Sequence, residues 1–223
     1  MSMEFFDFIY TWEILPILIK AFWVTIKATL VGFILAAVAG LLFAVLRRSP
    51  ARWIRWPVTG FLEFIRSTPL LVQLFFLYYV LPQYGIKFEA FTIGVLALGF
   101  HYSSYTAEVY RSGIESIPKE QWEAAIALNY RRPQIWTKII IPQAIPPVVP
   151  VLGNYLITMF KDAPLLAAIT VVNAMHMVQK LGARTYQYLE PMTLLGALML
   201  VVSLISAFLV QRLDKYLKSR RGV

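Results

Sequence analysis

Residues 17–46 form a run in which Lys20 and Lys27 are the only charged side chains. As a helix this run would reach about 45 Å at 1.5 Å per residue, well beyond a bilayer core of about 30 Å, so it must tilt or project. In lipid it must satisfy every backbone hydrogen bond internally, which leaves the helix as its form. Four further apolar stretches follow at about 57–81, 91–110, 143–160 and 192–210. With 59% hydrophobic and 15% charged residues and a mean hydropathy of +0.64, the chain reads as an all-α polytopic membrane protein with five transmembrane helices. No internal repeat or low-complexity linker divides it, so residues 1–223 are expected to be a single domain.

The net charge of +9 does not point to nucleic acid, because the basic residues follow the membrane rather than one patch. With five spans, one side receives Arg47, Arg48, Arg52, Arg55, Arg111, Lys119, Arg131, Arg132, Lys138, Arg212, Lys215, Lys218, Arg220 and Arg221, fourteen in all. The other receives four, Lys87, Lys161, Lys180 and Arg184. The positive-inside rule then puts the N-terminus outside and the C-terminus in the cytoplasm. Residues 163–178 are apolar but carry Pro164, Asn173 and His176, and a sixth crossing would put the basic tail outside. They are expected to form a short re-entrant or interfacial helix before the last span. Pro142, Pro146, Pro147 and Pro150 are expected to kink the fourth span. The acidic N-terminal residues lack the basic region of a signal peptide and are read as part of the mature chain.

Between the third and fourth spans lies a polar, basic loop, about 111–142, containing EAAIALNYRRPQIWTKIIIP from Glu123. Pro118 suits a first helical turn and the residues after it are strong helix formers, so a helix is expected over 119–128. Trp122, Ala125 and Ile126 would give it one apolar face, Asn129 would end it in the left-handed conformation, and a second short helix would span 133–140.

These residues resemble the cytoplasmic loop of the permease subunits of type I ATP-binding-cassette importers, in particular those for polar amino acids. That loop reads E-A-A, three residues, G, nine residues, I-x-L-P. Glu123, Ala124, Ala125, Ile139 and Pro142 fall on it in register, with Asn129 for the glycine and Ile141 for the leucine. RSTPLLVQLFFLYYVLP from Arg66, YTAEVYRSGIESIPKEQWEAA from Tyr105 and NYLITMFKDAPL from Asn154 are similar to the same family. FKDAPLLAAITV and ARTYQYLEPMTL look most like its ectoine and hydroxyectoine permeases, in a group that also serves glutamate, glutamine, histidine and arginine. The resemblance implies a bacterial inner-membrane importer. Its partners would be a second permease subunit, identical or homologous, two ATPase subunits carrying ATP and Mg, an external solute-binding protein and membrane lipid. Trp122, Glu123, Ala124, Ala125 and Asn129 would couple to the ATPase, with the small residues permitting close approach. Glu123 would either accept a hydrogen bond from the ATPase or serve its own helix end.

The chain has no G-x-x-x-x-G-K-[ST] loop, so hydrolysis must lie in a partner and the chain is expected to be no enzyme, with no cofactor of its own. It has no Cys and two isolated histidines, which gives a metal or thiol site no support. Polar residues inside spans are functional candidates. Gln73, His101, Tyr102, Asn154, Lys161 and Asp162 are candidates for the substrate path, against the alternative that they pack as interhelical glue. Glu63 with Arg66, and Glu108 with Arg111, stand at i, i+3 and are expected to be ion pairs. A membrane enzyme would need a visible nucleophile or metal constellation. A plain anchor would not explain the loop, and a secondary transporter would usually carry inverted repeats.

Overall fold

The computed structural model describes residues 6–219, and every regular element among them is helical. The first helix, α1, runs Phe8–Arg47, nine residues earlier than apolarity alone indicates. Asp7 sets its start: its carboxylate accepts from Tyr10 N at 2.9 Å, while its own N–H donates to Glu190 Oε1 at 3.1 Å. The expected second span is broken. Helix α2, Arg52–Ser67, and the segment Leu70–Tyr84 meet at 105°. Thr68 and Pro69 supply the break, because the residue before a proline is pushed out of the helical region. The second arm comprises α3 (Leu70–Phe75), a π turn over Phe76–Val80 and a 3₁₀ turn over Leu81–Tyr84. Helix α4 spans Ala90–Glu115.

In the loop, α5 covers Lys119–Ala127. Then α6 (Arg132–Ile135), a π turn over Trp136–Ile140 and α7 (Ile141–Asp162) run on as one helix. The second loop helix is therefore the base of the fourth span rather than a separate piece. The prolines expected to kink that span are carried inside its helix: Pro142 stands in the first turn of α7, two residues after the π turn, and Pro146, Pro147 and Pro150 lie within α7. Residues 163–178 divide in two. A 3₁₀ stretch, Ala163–Ile169, ends at left-handed Thr170, and α8 then runs Ala174–Thr185. Asn173 joins them: wholly buried, it caps His176 N and donates to Ala163 O at 3.0 Å. Last is α9, Leu189–Ser219. Arg220, Arg221 and the expected outside terminus at Met1 fall outside the described residues.

Close approaches give the helix directions. Gly32 lies against Leu98, Leu35 against Gly99, and Gly40 against Thr106 and Ala107, so α1 and α4 are parallel. Gly113 meets Ala144 and Val148, whereas Tyr102 meets Asp162, so α7 is antiparallel to α4. Gly153 against Val210, with Phe160 and Leu195 in one cluster, makes α9 antiparallel to α7. Arg47 and Ala90 therefore sit at opposite ends of the α1–α4 pair, roughly 35 Å apart along it. The chain must recross that height between them, so the bent α2–α3 pair is a broken span rather than a loop that turns back.

Among the described residues, three helices are long and apolar enough to cross a membrane, the bent pair makes a fourth, and α4, at 26 residues, is long enough but polar in its second half. That polarity follows from position. Half of α4 is buried, and Thr106 Oγ1 donates to Ala36 O at 2.7 Å across the contact with α1. The bundle gathers twelve described basic residues at the end shared by Arg47 and α5, and Lys87, Lys161, Lys180 and Arg184 towards the other.

Candidate functional site

Helix α5 closes as a Schellman motif: Tyr130 N donates to Ala125 O and Asn129 N to Ile126 O, with Asn129 at φ 56°. The left-handed residue expected at the glycine position is thus in place. The expected apolar face is not a single surface. Ala125 is buried with Ile117, Ile135, Ile140 and Ala144, Trp122 is half-buried, and Ile126 is 63% exposed. Ala125 therefore anchors the helix to its own chain and is no surface for a partner's close approach. Glu123, Ala124, Ala127 and Leu128 are the neighbours that lie exposed. Trp122 packs edge-to-face on Trp136 at 5.2 Å, and the Arg48 guanidinium lies 5.5 Å from the Trp136 ring centre. These contacts tie α5 to the base of the long helix containing α7, and that base to the end of α1. A cleft of about 530 Å³ opens beside them, lined by Trp122, Ile126, Tyr130, Arg132, Ile135 and Trp136.

The candidate path residues are not one cluster. Gln73 is occupied by the break: its Nε2 donates to Ile65 O at 2.7 Å and to Thr68 Oγ1 at 2.7 Å, and its Oε1 faces His101 Nδ1 at 3.2 Å. Gln73 and His101 thus close polar groups that the bend leaves open. Tyr102, 3% exposed, donates to Asp162 Oδ2 at 2.6 Å and ties α4 to the end of α7. Asn154 and Lys161 lie exposed on α7, with Thr158 between them, and the 4- and 3-residue spacings keep all three on one helix face. Thr158 Oγ1 donates to Asn154 O at 3.0 Å, so the Asn154 amide and the Lys161 ammonium are the groups on this face that need a polar medium or partner beside the helix.

The ion pairs form as the spacing predicts. Glu63 and Arg66 meet at 2.5 Å on the surface of α2. Glu108 holds Arg111 and also, at 2.9 Å, Arg47 of α1, while Arg111 reaches on to Glu115. Above this network a cavity of about 300 Å³ lies between α4 and α7, with Tyr105, Glu108, Ser112, Ser116, Val151 and Tyr155 in its wall. The rings of Tyr105 and Tyr155 pack on each other in its wall with centres 5.5 Å apart, and Tyr105 also packs on His101 and Tyr102. Sequence reasoning passed over Tyr105, Ser112, Ser116 and Tyr155. The signal was available in the 3-, 4- and 4-residue spacing of Tyr105, Glu108, Ser112 and Ser116, one polar stripe along α4.

Residues 28–219 match the family described as binding-protein-dependent transport system inner membrane component. The chain belongs to that family. The permease is 46% identical over 211 residues to a probable amino-acid ABC transporter permease protein of Sinorhizobium fredii, covering 95% of this chain and 91% of that one. It is 32% identical to the L-cystine transport system permease protein of Bacillus subtilis, covering 90% and 88% of the two chains. Among solved structures, a chain of an amino acid ABC transporter crystallised with histidines superposes with a TM-score of 0.90 at 32% identity, covering 95% of the permease and 99% of that chain. The MetNI methionine ABC transporter, inward facing, matches in fold alone, with a TM-score of 0.77 at 19% identity. The permease is thus a multi-pass inner-membrane subunit of a transporter rather than an enzyme, and ATP hydrolysis resides in a separate subunit.

Proposed function

We propose that the permease forms part of the translocation path of an ATP-driven importer for a polar amino acid or amino-acid-derived solute, and that its substrate is ectoine or hydroxyectoine. The observation that carries the path is the exposed polar face of Asn154, Thr158 and Lys161 on α7, next to the Tyr105–Tyr155 cavity. That face is costly against lipid and suits a water-filled route shared with a second permease subunit. Aromatic walls with few unpaired charges fit a compact zwitterion better than an ion of high net charge. The substrate assignment rests on the resemblance of residues 160–171 and 183–194 to ectoine permeases. The relatives named for cystine, arginine and glutamine set the competing amino acids.

Coupling follows from continuity. ATP and Mg bind on two ATPase subunits, which dock on the exposed side of α5 at Glu123, Ala124 and Ala127, and the Trp122–Trp136 contact passes their motion to the helix that ends in the polar face. Two permeases then rock between inward-open and outward-open states, and an external binding protein delivers the solute. The charge asymmetry of the two ends supports a cytoplasmic α5 and an outside start of α1. The test is reconstitution of the complex in proteoliposomes with its binding protein, followed by uptake of labelled ectoine, glutamine, arginine and cystine. ATP-dependent ectoine uptake is expected. Uptake of a different amino acid alone would replace the substrate, and binding-protein-independent behaviour with no uptake of any would overturn the importer.

A further inference from the structure

The end of α8 carries an oddity that the translocation path does not use. Tyr186 stands at φ 58°, a conformation that suits glycine or asparagine and is strained for an aromatic residue, and its side chain is 89% exposed. An ordinary helix end would place glycine here. The corner beneath it is built rather than loose. Tyr186 N donates to Gly182 O at 2.8 Å, and Thr185 Oγ1 bonds to Leu181 O and lies 3.3 Å from the Tyr10 hydroxyl of α1. Gly182 lies flat against the ring of Tyr188, where a Cβ would come within 2.3 Å. The ring of Tyr186 is thus held outward by a fixed base at the far end of α1 from α5, with Lys180 and Arg184 exposed on the same helix. Of the nearby acids, Asp7 caps α1 and Glu190 is buried, and Glu13 remains exposed.

From these observations we infer that the Lys180–Arg184–Tyr186 corner is a docking point for the external binding protein, with Tyr186 as its aromatic anchor and carboxylates on the partner facing the two cations. A protruding tyrosine on a hydrogen-bonded backbone corner, beside basic side chains, has the composition of a binding hot spot, because a ring with two rotatable bonds offers a large contact area for little lost freedom. This inference rests on the importer reading. Stimulation of the unmodified complex by binding protein tests that reading, and the variants test the corner.

The experiment measures ATP hydrolysis by the full transporter in nanodiscs against the concentration of its substrate-loaded binding protein. Tyr186→Gly removes the ring and relieves the backbone, so folding is preserved. It should raise the half-maximal concentration about tenfold while leaving the saturated rate unchanged. Tyr186→Phe should restore the unmodified value. Lys180→Glu with Arg184→Glu should raise it further and abolish the weakening by salt seen in the unmodified complex. An unchanged half-maximal concentration in Tyr186→Gly would overturn the proposal and leave Tyr186 as an interfacial lipid contact. Failure of the unmodified complex to respond to binding protein at all would overturn the importer reading together with it.

Discussion

Helices α4 and α9 are both long enough to cross a bilayer, and they are built on opposite rules. Thirteen of the 26 residues of α4 are buried, among them His101, Tyr102, Ser103, Ser104 and Thr106, whereas α9 buries three of its 31, Glu190, Pro191 and Leu195. In α9 the outward side is Leu200, Leu204, Ile205 and Phe208, each more than half exposed. The helix in the middle of this protein is therefore the more polar one. In lipid there is no gain from turning apolar side chains inward, so close backbone approach and interhelical hydrogen bonds hold the centre, and apolar residues face the solvent they match. Hydropathy in this chain marks contact with lipid, and small or hydroxyl residues mark contact with protein.

The largest expected effect sharpens that contrast. A Cβ at Gly40 would meet Thr106 Oγ1 at 2.0 Å and the Ala107 backbone at 2.9 Å, whereas at Gly196 on α9 nothing lies within 4 Å. Gly40→Leu should separate α1 from α4, at about 3 kcal/mol or more, and leave little folded protein, while Gly196→Leu should be nearly neutral. Yield and thermal unfolding in detergent check this, and equal behaviour of the two variants would break the comparison.

Next come two adjacent alanines in α5. Ala125→Arg places a charge in the buried cluster beneath the helix, so it should destabilise the permease by about 3 kcal/mol or more and disorder the loop. Ala124→Arg lies on the exposed side. It should leave the permease folded, shed the ATPase on purification and abolish uptake. Co-purification of the ATPase, with the thermal transition of the permease alone, separates the two, and a full complement of ATPase on Ala124→Arg would remove α5 from the coupling contact.

The smallest effect concerns the broken span. Gln73→Leu leaves Ile65 O, Thr68 Oγ1 and His101 Nδ1 without that partner, which should cost about 1–3 kcal/mol and lower the thermal transition by several degrees. An unaltered transition would mean that water or a neighbouring group takes over the bend.

These contrasts also explain what could be read from the chain itself. The apolar helices, the loop helix, its left-handed Asn129 and the two i, i+3 ion pairs were legible because each depends on local spacing. The 105° break was hidden because residues 57–81 are continuously apolar enough to span, and one Thr-Pro step decides the geometry. The prolines of α7 do not end the helix, which runs on through Pro146, Pro147 and Pro150. Which of two neighbouring alanines faces the protein depends on Ile117, Ile135, Ile140 and Ala144 arriving from elsewhere in the chain. In the same way, the polar candidates divided into tied residues, Gln73, His101, Tyr102 and Asp162, and exposed ones, Asn154 and Lys161.

The most direct test of the account is aqueous access to α7 and α9 in the assembled transporter, made simple by the absence of cysteine from the chain. Asn154→Cys and Thr158→Cys should react with a water-soluble maleimide and be slowed by transported substrate. Leu204→Cys, also exposed on the isolated subunit, should react only with a membrane-soluble reagent. Unreactive Asn154→Cys and Thr158→Cys, with Leu204→Cys labelled from water, would contradict the claim that the polar face of α7 lines the path.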